Sequence, residues 1–118
     1  MSDNLKITDS ILLSIKPMLN ISETDSVFDE EVIAHINSAL AVAHQLGIGS
    51  SYFSITGDSE TWKDFINDEE YVFSSLKEYV YLKTKIVFDP PTSASLLGSM
   101  KNNINELEWR LNNKSSFQ

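Results

Sequence analysis

Apolar residues recur at intervals of three and four along most of the chain, a spacing that predicts α-helices rather than strands. The clearest case covers about residues 29–47. Asp29 is its predicted N-cap, Glu30 and Glu31 suit the positive end of the helix dipole, and Gly47 is its predicted C-cap. Its apolar stripe consists of Val32, Ile36, Ala39, Leu40, Ala43 and Leu46. Such an amphipathic helix needs a partner for its apolar side, which indicates a helical bundle.

Two shorter helices are predicted on either side of this one. The first covers about residues 9–19, with Thr8 as its N-cap. Pro17 lies inside that pattern and has no backbone N–H to donate, so we expect the helix to kink or end near Lys16. The other short helix covers about residues 59–66 and carries two aromatic side chains.

Two long helices are predicted in the second half of the chain. One covers about residues 69–88, with Asp68 as its N-cap, and ends where two consecutive prolines follow an aspartate. The other covers about residues 94–112, with Thr92 or Ser93 as its N-cap. Its apolar stripe consists of Leu97, Met100, Ile104, Leu107 and Leu111.

These elements predict an all-α fold, a bundle of four main helices plus one short helix. The segment around 48–57 is predicted to be an extended loop, because it contains glycine, serine and aromatic residues without helical spacing. A chain of 118 residues has the length of a single domain, which we place over 1–118. Residues 1–7 and 113–118 are predicted to be terminal tails.

Composition narrows the classes of function. The chain has no cysteine, so it offers no thiolate nucleophile, disulfide or zinc–thiolate site. With 9 basic and 17 acidic side chains its net charge is −8, which argues against a protein that grips phosphate backbones. The longest run without a formal charge, 32–57, is interrupted by polar residues, so we expect no membrane helix there.

The two histidines do not form a predicted catalytic or metal site. His35 and His44 are nine residues apart on one helix, so their side chains point about 180° apart. Glu31 and His35 lie on one face, but two ligands are too few for a metal site. We therefore expect no catalytic residue, no cofactor and no bound metal.

Trp109 is a candidate interface residue. It lies about 120° from Leu97 on the helical wheel, off the stripe that an internal core would use. Arg110 is next to it, and both residue types are enriched at protein interfaces. Packing of Trp109 within its own subunit is the equally weighted alternative. Phe117 is an isolated aromatic residue in a polar tail and is a second candidate anchor for a partner.

Lys83 falls in the middle of an apolar stripe, where an unpaired charge would be costly. Its stem could pack while its ammonium group reaches water, or it could form an ion pair across a helix or subunit boundary. Glu108 borders the facing stripe, but a simple antiparallel register places Lys83 near residues 98–101 instead. We therefore leave the partner of Lys83 unassigned.

Two segments of the second half resemble a known family. The turn KIVFDPPTS at 85–93 is followed by ELEWRLN at 106–112. This pairing resembles the small head–tail connector, or adaptor, proteins of long-tailed bacteriophages. Three upstream segments are also similar to that family: His35–Ser38, Gln45–Gly49 and Thr61–Phe65. The resemblance covers about residues 10–112, and Pro17 departs from it because an ordinary helix former is expected there.

The resemblance implies a non-enzymatic structural protein of the virion. Proteins of this kind are α-helical and form a homo-oligomeric ring, typically a dodecamer, below the portal protein. The ring extends the DNA channel and docks a stopper or tail-completion protein, while DNA passes without specific binding. The implied location is the head–tail interface of the virion, and the host cytoplasm during assembly.

The loop at 48–57 is the first candidate for a contact between subunits. Tyr52, Phe53 and Ile55 lie within four residues and could add extended structure to a neighbouring copy or line the channel. The main alternative function is a small acidic regulator or DNA mimic that binds a host protein. A mimic should carry its acids along one helical face, whereas here they concentrate at helix starts.

Overall fold

A computed structural model describes residues 6–114 of the chain. Five α-helices occur in that range, and between residues 6 and 114 there is no β-strand, only a single antiparallel bridge between Ser10 and Thr61. A 3-10 turn at Glu70–Val72 precedes the fourth helix. The helices are α1 (Ile11–Met18), α2 (Asp29–Gln45), α3 (Trp62–Ile66), α4 (Phe73–Phe88) and α5 (Ala94–Asn112). The predicted all-α fold, with four main helices and one short one, is confirmed.

Helix α4 lies at the centre of the bundle. It packs against α1, α2 and α5, whereas α2 and α5 make few contacts with each other. Leu76, Tyr79 and Val80 of α4 are fully buried, as expected for a helix with neighbours on more than one side. Because α4 separates α2 from α5, the outer faces of those two helices belong to different flanks of the subunit.

The bundle has two distinct ends. At the Phe28 end, the start of α2 meets the end of α4, where the rings of Phe28 and Phe88 lie 5.4 Å apart. At the Gly47 end, Nζ of Lys114 donates a hydrogen bond of 2.9 Å to the carbonyl oxygen of Gly47. Helices α2 and α5 therefore run in the same direction, and both finish at the Gly47 end.

Helix α3 closes the core at the Gly47 end. Trp62 is fully buried, and its indole N–H donates a hydrogen bond of 3.0 Å to the hydroxyl of Ser14. The Trp62 ring packs edge-on against Phe73 at 5.7 Å. Thr61 begins α3 with a capping box, in which Thr61 and Asp64 each accept a hydrogen bond from the backbone N–H of the other.

Three predicted N-caps are wrong. α1 is capped by Ser10 rather than Thr8, because the Ser10 hydroxyl accepts a hydrogen bond of 3.1 Å from the N–H of Leu13. Asp29 is the first residue of α2 and not its cap; its carboxylate turns towards Lys16 instead. Asp68 does not cap α4, since the 3-10 turn lies between them and α4 begins at Phe73.

The predicted ends of the helices agree better with the structure. Gly47 has φ of +99°, and the N–H groups of Gly47 and Ile48 donate to the carbonyls of His44 and Ala43. This is the Schellman arrangement, which favours glycine because an L side chain is strained at that φ. α5 begins after Ser93, whose hydroxyl accepts from the N–H of Leu96, one of the two predicted caps.

Lys16 is a buried charge that sequence reasoning did not single out. Its side chain is 1% exposed, and Nζ lies 2.8 Å from a carboxylate oxygen of Asp29. Nζ also donates a hydrogen bond of 3.1 Å to the carbonyl oxygen of Glu23. The ion pair fastens the last turn of α1 to the first turn of α2, and Pro17 is accommodated in that last turn, where few backbone hydrogen bonds are lost.

Candidate assembly surfaces

The loop from residue 48 to residue 57 is fastened to the bundle at its start. Gly49 has φ of +74°, and a Cβ atom there would lie 2.4 Å from the ring of Phe65. Both features require glycine, because a larger residue would be strained and would collide with α3. The N–H of Ser50 donates a hydrogen bond of 3.0 Å to the carbonyl of Phe65, which completes this attachment.

The loop is fastened to α2 in its second half. The Asn37 side chain accepts a hydrogen bond of 2.8 Å from the N–H of Ile55 and donates one of 3.0 Å to its carbonyl. Asn37 thus pairs with the loop backbone as a neighbouring strand would. The Ile55 side chain is only 1% exposed and belongs to the core. An interface role for Ile55 is therefore indirect, since it holds the loop in place.

Glu60 secures the end of the loop. Its carboxylate accepts hydrogen bonds from the backbone N–H and the hydroxyl of Thr56, at 3.0 and 2.9 Å. Burial alone would raise the pKa of Glu60, but the hydrogen bonds from Thr56 stabilise the charged form and lower the pKa below 4.5. The loop is therefore held at both ends and in the middle.

Tyr52 is the exposed residue of this loop. Its side chain is as exposed as in an extended peptide, and its φ is +60°, in the left-handed region that bulky residues avoid. Phe53 turns the other way and packs on Phe65 with ring centroids 5.2 Å apart. Between the loop and the end of α2 lies a groove of about 380 Å³, whose lining includes Leu40, Ala41, Phe53 and Phe65. We call it the loop groove.

Helix α5 uses one face for the core and leaves the other exposed. Ile104 and Leu111 are buried against α4, and Leu97, Met100 and Leu107 are partly buried beside them. Trp109 lies on the opposite side and is 63% exposed. Its neighbours on that side, at helical spacing, are the exposed residues Gly98, Asn102 and Asn105. We call these four residues the α5 outer face.

A polar cluster fixes α5 against α4. The buried Tyr79 hydroxyl donates a hydrogen bond of 2.8 Å to the carboxylate of Glu108. Nζ of Lys83 lies 3.9 Å from the same carboxylate oxygen and 6.0 Å from the centre of the Tyr79 ring. Burial raises the pKa of Tyr79 far above its ordinary value of 10.0, and the hydrogen bond and charge of Glu108 raise it further.

The partner of Lys83, which the sequence left unassigned, is therefore Glu108, although the antiparallel register placed Glu108 too far away. An antiparallel register places residues 98–101 opposite Lys83 only if side chains lie level with their own Cα atoms. Side chains on a helix lean towards its N-terminus, so in an antiparallel pair they lean in opposite directions. Lys83 leans away from the α4–α5 turn and Glu108 leans towards it, which brings the two charges together.

The remaining predicted interface residues have different surroundings. Arg110 is half exposed and lies 3.9 Å from Glu106 one turn earlier, in a surface pair that contributes little to stability. Phe117 lies outside the described residues. The structure thus places Tyr52, Trp109 and Arg110 at the surface, Phe53 partly below it and Ile55 in the core.

A further apolar patch lies at the Phe28 end and was not predicted. Val27 is 79% exposed, and Phe28, Val87 and Leu96 are also exposed large apolar residues. The first two precede α2, and the others flank the α4–α5 turn. Helical periodicity did not indicate this patch, because Val27 and Phe28 precede α2 and Leu96 lies off the apolar stripe of α5. The sequence pattern assigns Val87 to the apolar stripe of α4, and this assignment is wrong, since the side chain is 56% exposed. The acidic residues Glu23 and Asp25, in the segment between α1 and α2, lie shortly before Val27 in the sequence.

The histidines show no arrangement that suggests catalysis. His35 lies 3.4 Å from Glu31, one turn earlier on α2. Nδ1 of His44 lies 3.3 and 3.2 Å from the carbonyl oxygens of Ile48 and Gly49, so it helps to close the end of α2. Within residues 6–114, no three acidic or histidine side chains are grouped as metal ligands would be. None of the helices described there has the length and apolar character to cross a bilayer.

The comparison of the whole chain with known families decides the assignment. A family model described as phage connector protein matches residues 11–118. The chain belongs to the phage connector protein family. No curated protein matches the connector, and no solved structure matches it.

Membership of this family confirms the resemblance seen in the sequence. It gives the connector a structural role in phage head–tail assembly and the virion as its place of action. Exposed aromatic residues such as Tyr52 and Trp109 suit a structural role. The surfaces described above are therefore considered as contacts for other virion subunits.

Proposed function

We propose that the connector assembles into a homo-oligomeric ring, a dodecamer, below the portal protein, where it extends the DNA channel and docks a stopper or tail-completion protein. The observation that carries this proposal is the exposure of Tyr52 and Trp109, the two most exposed aromatic residues of the described part of the chain. A monomer gains nothing from exposing them, whereas aromatic residues dominate binding energy at protein interfaces.

The charge of the subunit also supports a channel protein. A net charge of −8 gives DNA no basic surface to adhere to, so double-stranded DNA can pass without specific binding. The acid-rich first half is the candidate channel lining. It carries 8 acidic and 2 basic residues up to position 59.

Mass measurement of the purified connector tests the proposal. Native mass spectrometry and sedimentation should give a closed oligomer, formed by the connector at high concentration or on addition of the portal protein of the same phage. A protein that stays monomeric under both conditions contradicts the ring and favours the alternative, a small acidic regulator or DNA mimic.

We further propose that the tail at 113–118, with Phe117, contributes to portal docking. An apolar anchor is needed if a tail is to become ordered on binding, because ordering the chain costs conformational entropy. Removal of residues 115–118 keeps Lys114 and its contacts with Gly47 and Glu69. This truncated connector should bind portal more weakly than the full chain in a pull-down. Equal binding would show that docking lies elsewhere, and the polar segment at 20–28, between α1 and α2, is the next candidate.

A further inference from the structure

We propose that Trp109 of one connector subunit inserts into the loop groove of the next subunit, so that the α5 outer face of each copy packs on α2 and the loop of its neighbour. This inference rests on the proposed ring and names the contact that builds it. A ring needs two different complementary surfaces on each subunit, because a contact of one surface with itself gives only a dimer.

The two surfaces lie on different flanks of the subunit. The loop groove is formed by α2 and the segment after it, while Trp109 lies on the side of α5 that faces away from α4. α4 separates α2 from α5. A neighbour can therefore occupy the groove while Trp109 of the same subunit engages a third copy, which is the head-to-tail arrangement of a ring.

Both surfaces are free of strong charge. The groove lining contains no carboxylate, lysine or arginine. The four residues of the α5 outer face contain none either, and the charged residues beside Trp109, Glu106 and Arg110, lie 3.9 Å from each other as an ion pair. On a subunit of net charge −8, a contact between two surfaces without unpaired carboxylates avoids the repulsion that two acidic surfaces would have. The groove volume of about 380 Å³ exceeds that of an indole ring. The buried side chains of Leu40 and Phe65 form its floor, Ala41 and Phe53 add apolar surface, and the rest of the lining is Tyr52 and the uncharged polar residues His44, Gln45, Ser50 and Ser51.

The two surfaces also lie at the same level along the bundle axis. Trp109 lies near the end of α5 and the loop groove lies at the end of α2, and both helices finish at the Gly47 end. With the bundle axis along the ring axis, a copy rotated about that axis needs no shift to bring Trp109 to the groove. A contact without a shift closes into a ring, whereas a shifted one would give a helical filament.

Tyr52 at the rim of the groove adds an independent argument. A fully exposed aromatic residue with φ of +60° is unfavourable in the isolated subunit and has nothing there to compensate it. A tryptophan seated in the groove would cover the Tyr52 ring and supply the missing contact. This explains why the turn carries tyrosine at a position that glycine or asparagine would fill more easily.

Single-cysteine variants test the contact directly, because the natural chain has no cysteine. Ala41→Cys marks the groove, and Asn105→Cys marks the α5 outer face one turn before Trp109. The two variants are mixed and treated with a short bis-maleimide reagent, and the products are separated on a denaturing gel. Cross-linked dimers should form from the mixture and not from either variant alone. Ser74→Cys, an exposed position on α4 outside both surfaces, replaces Ala41→Cys as the control and should give none.

Trp109→Ala in the Asn105→Cys chain should reduce the cross-linked product at least ten-fold, since a tryptophan anchor carries a large share of binding energy. Dimers from one variant alone would reveal a symmetric interface and overturn the inference. Oligomers without the mixed cross-link would overturn it too, while leaving the proposed ring intact. A protein that neither oligomerises nor cross-links would overturn both.

Tyr52→Gly separates the interface from folding. Glycine relieves the left-handed backbone, so the monomer should melt at the same temperature or higher than the natural chain. The same variant should give several-fold less cross-linked dimer between the groove and the α5 outer face. Unchanged cross-linking in a folded Tyr52→Gly protein would remove Tyr52 from the contact and count against the proposal.

Discussion

The loop at 48–57 and helix α5 each present one aromatic residue to solvent, but they are supported in different ways. The loop has no regular hydrogen bonding of its own, and side chains of α2 and Glu60 supply what its backbone lacks. α5 satisfies its own backbone and depends on one apolar face and the Tyr79–Glu108 hydrogen bond for its position. Changes in the loop supports should therefore unfold the subunit, whereas changes on the α5 outer face should affect assembly alone.

The largest effect is expected from Ile55→Ala. The Ile55 side chain is 1% exposed, so its truncation leaves a cavity and should lower the free energy of unfolding by about 2–5 kcal/mol. Urea denaturation followed by circular dichroism measures this. Leu96→Ala, an exposed aliphatic residue on α5, is the matched control and should change stability little. A small effect for Ile55→Ala would mean that the loop is not part of the core.

Asn37→Ala should have the next largest effect. It removes both hydrogen bonds to the backbone of Ile55 and leaves a buried N–H and carbonyl without their partner, at a cost of about 1–3 kcal/mol. The measurement is again the denaturation midpoint. Asn105→Ala, the same change on the exposed face of α5, should be nearly neutral. Equal effects of the two variants would contradict the different support of the two regions.

The same contrast explains which features could be predicted from the sequence. The long helices were predictable because local periodicity and proline placement determine them, and Gly47 marked the end of α2 by its conformation. The pairing of Asn37 with Ile55 joins residues 18 apart in the chain, and no local sequence pattern around either residue indicates it. The loop was accordingly predicted as a loop, but Ile55 was assigned to a partner surface because its charge-free surroundings suited either location.

A charged residue on an apolar stripe indicates a buried ion pair, but helical periodicity alone does not identify its partner. Lys83 was recognised as unusual, and its partner was missed because side-chain lean was not considered. Lys16 lies one turn after Leu12 on the buried face of α1, so the sequence contained the same signal there. In both cases the partner is a carboxylate on another helix, at a distance along the chain that only the fold can define.

A third expectation concerns the pH dependence of the α4–α5 contact. The pKa of Tyr79 is raised in the folded protein above the value of about 10 expected in the unfolded chain. Its contribution to stability is therefore complete below about pH 10 and is lost as the pH rises towards the folded-state pKa. The slope from this one group approaches about 1.4 kcal/mol per pH unit above pH 10.

Tyr79→Phe isolates that contribution. At neutral pH it removes one hydrogen bond and should cost about 1 kcal/mol, with Glu108 still paired to Lys83. Above pH 10 its stability should fall less steeply than that of the natural chain, because the phenol that ionises on unfolding is gone. Lysines also titrate in this pH range, but they contribute equally to the stability slopes of both proteins, so the difference between the two slopes reports on Tyr79 alone. Parallel slopes would show that the Tyr79 pKa is not raised.

The smallest effect on the isolated subunit is expected from Lys114→Met, which tests how the end of α5 is positioned. Nζ of Lys114 donates to the carbonyl of Gly47 and to the carboxylate of Glu69, and its side chain is about one-third exposed. Partly exposed pairs of this kind are screened by solvent, so the loss in unfolding free energy should stay below about 1 kcal/mol. Lys101→Met, which replaces an exposed lysine of α5, provides the control for loss of one positive charge. Because Lys114 holds the end of α5 beside α2, its replacement should weaken oligomer formation more than Lys101→Met does, although both proteins melt at similar temperatures. If the two variants assemble equally well, the position of the α5 end is set by its apolar face and the Tyr79–Glu108 bond, and Lys114 has no separate part in assembly.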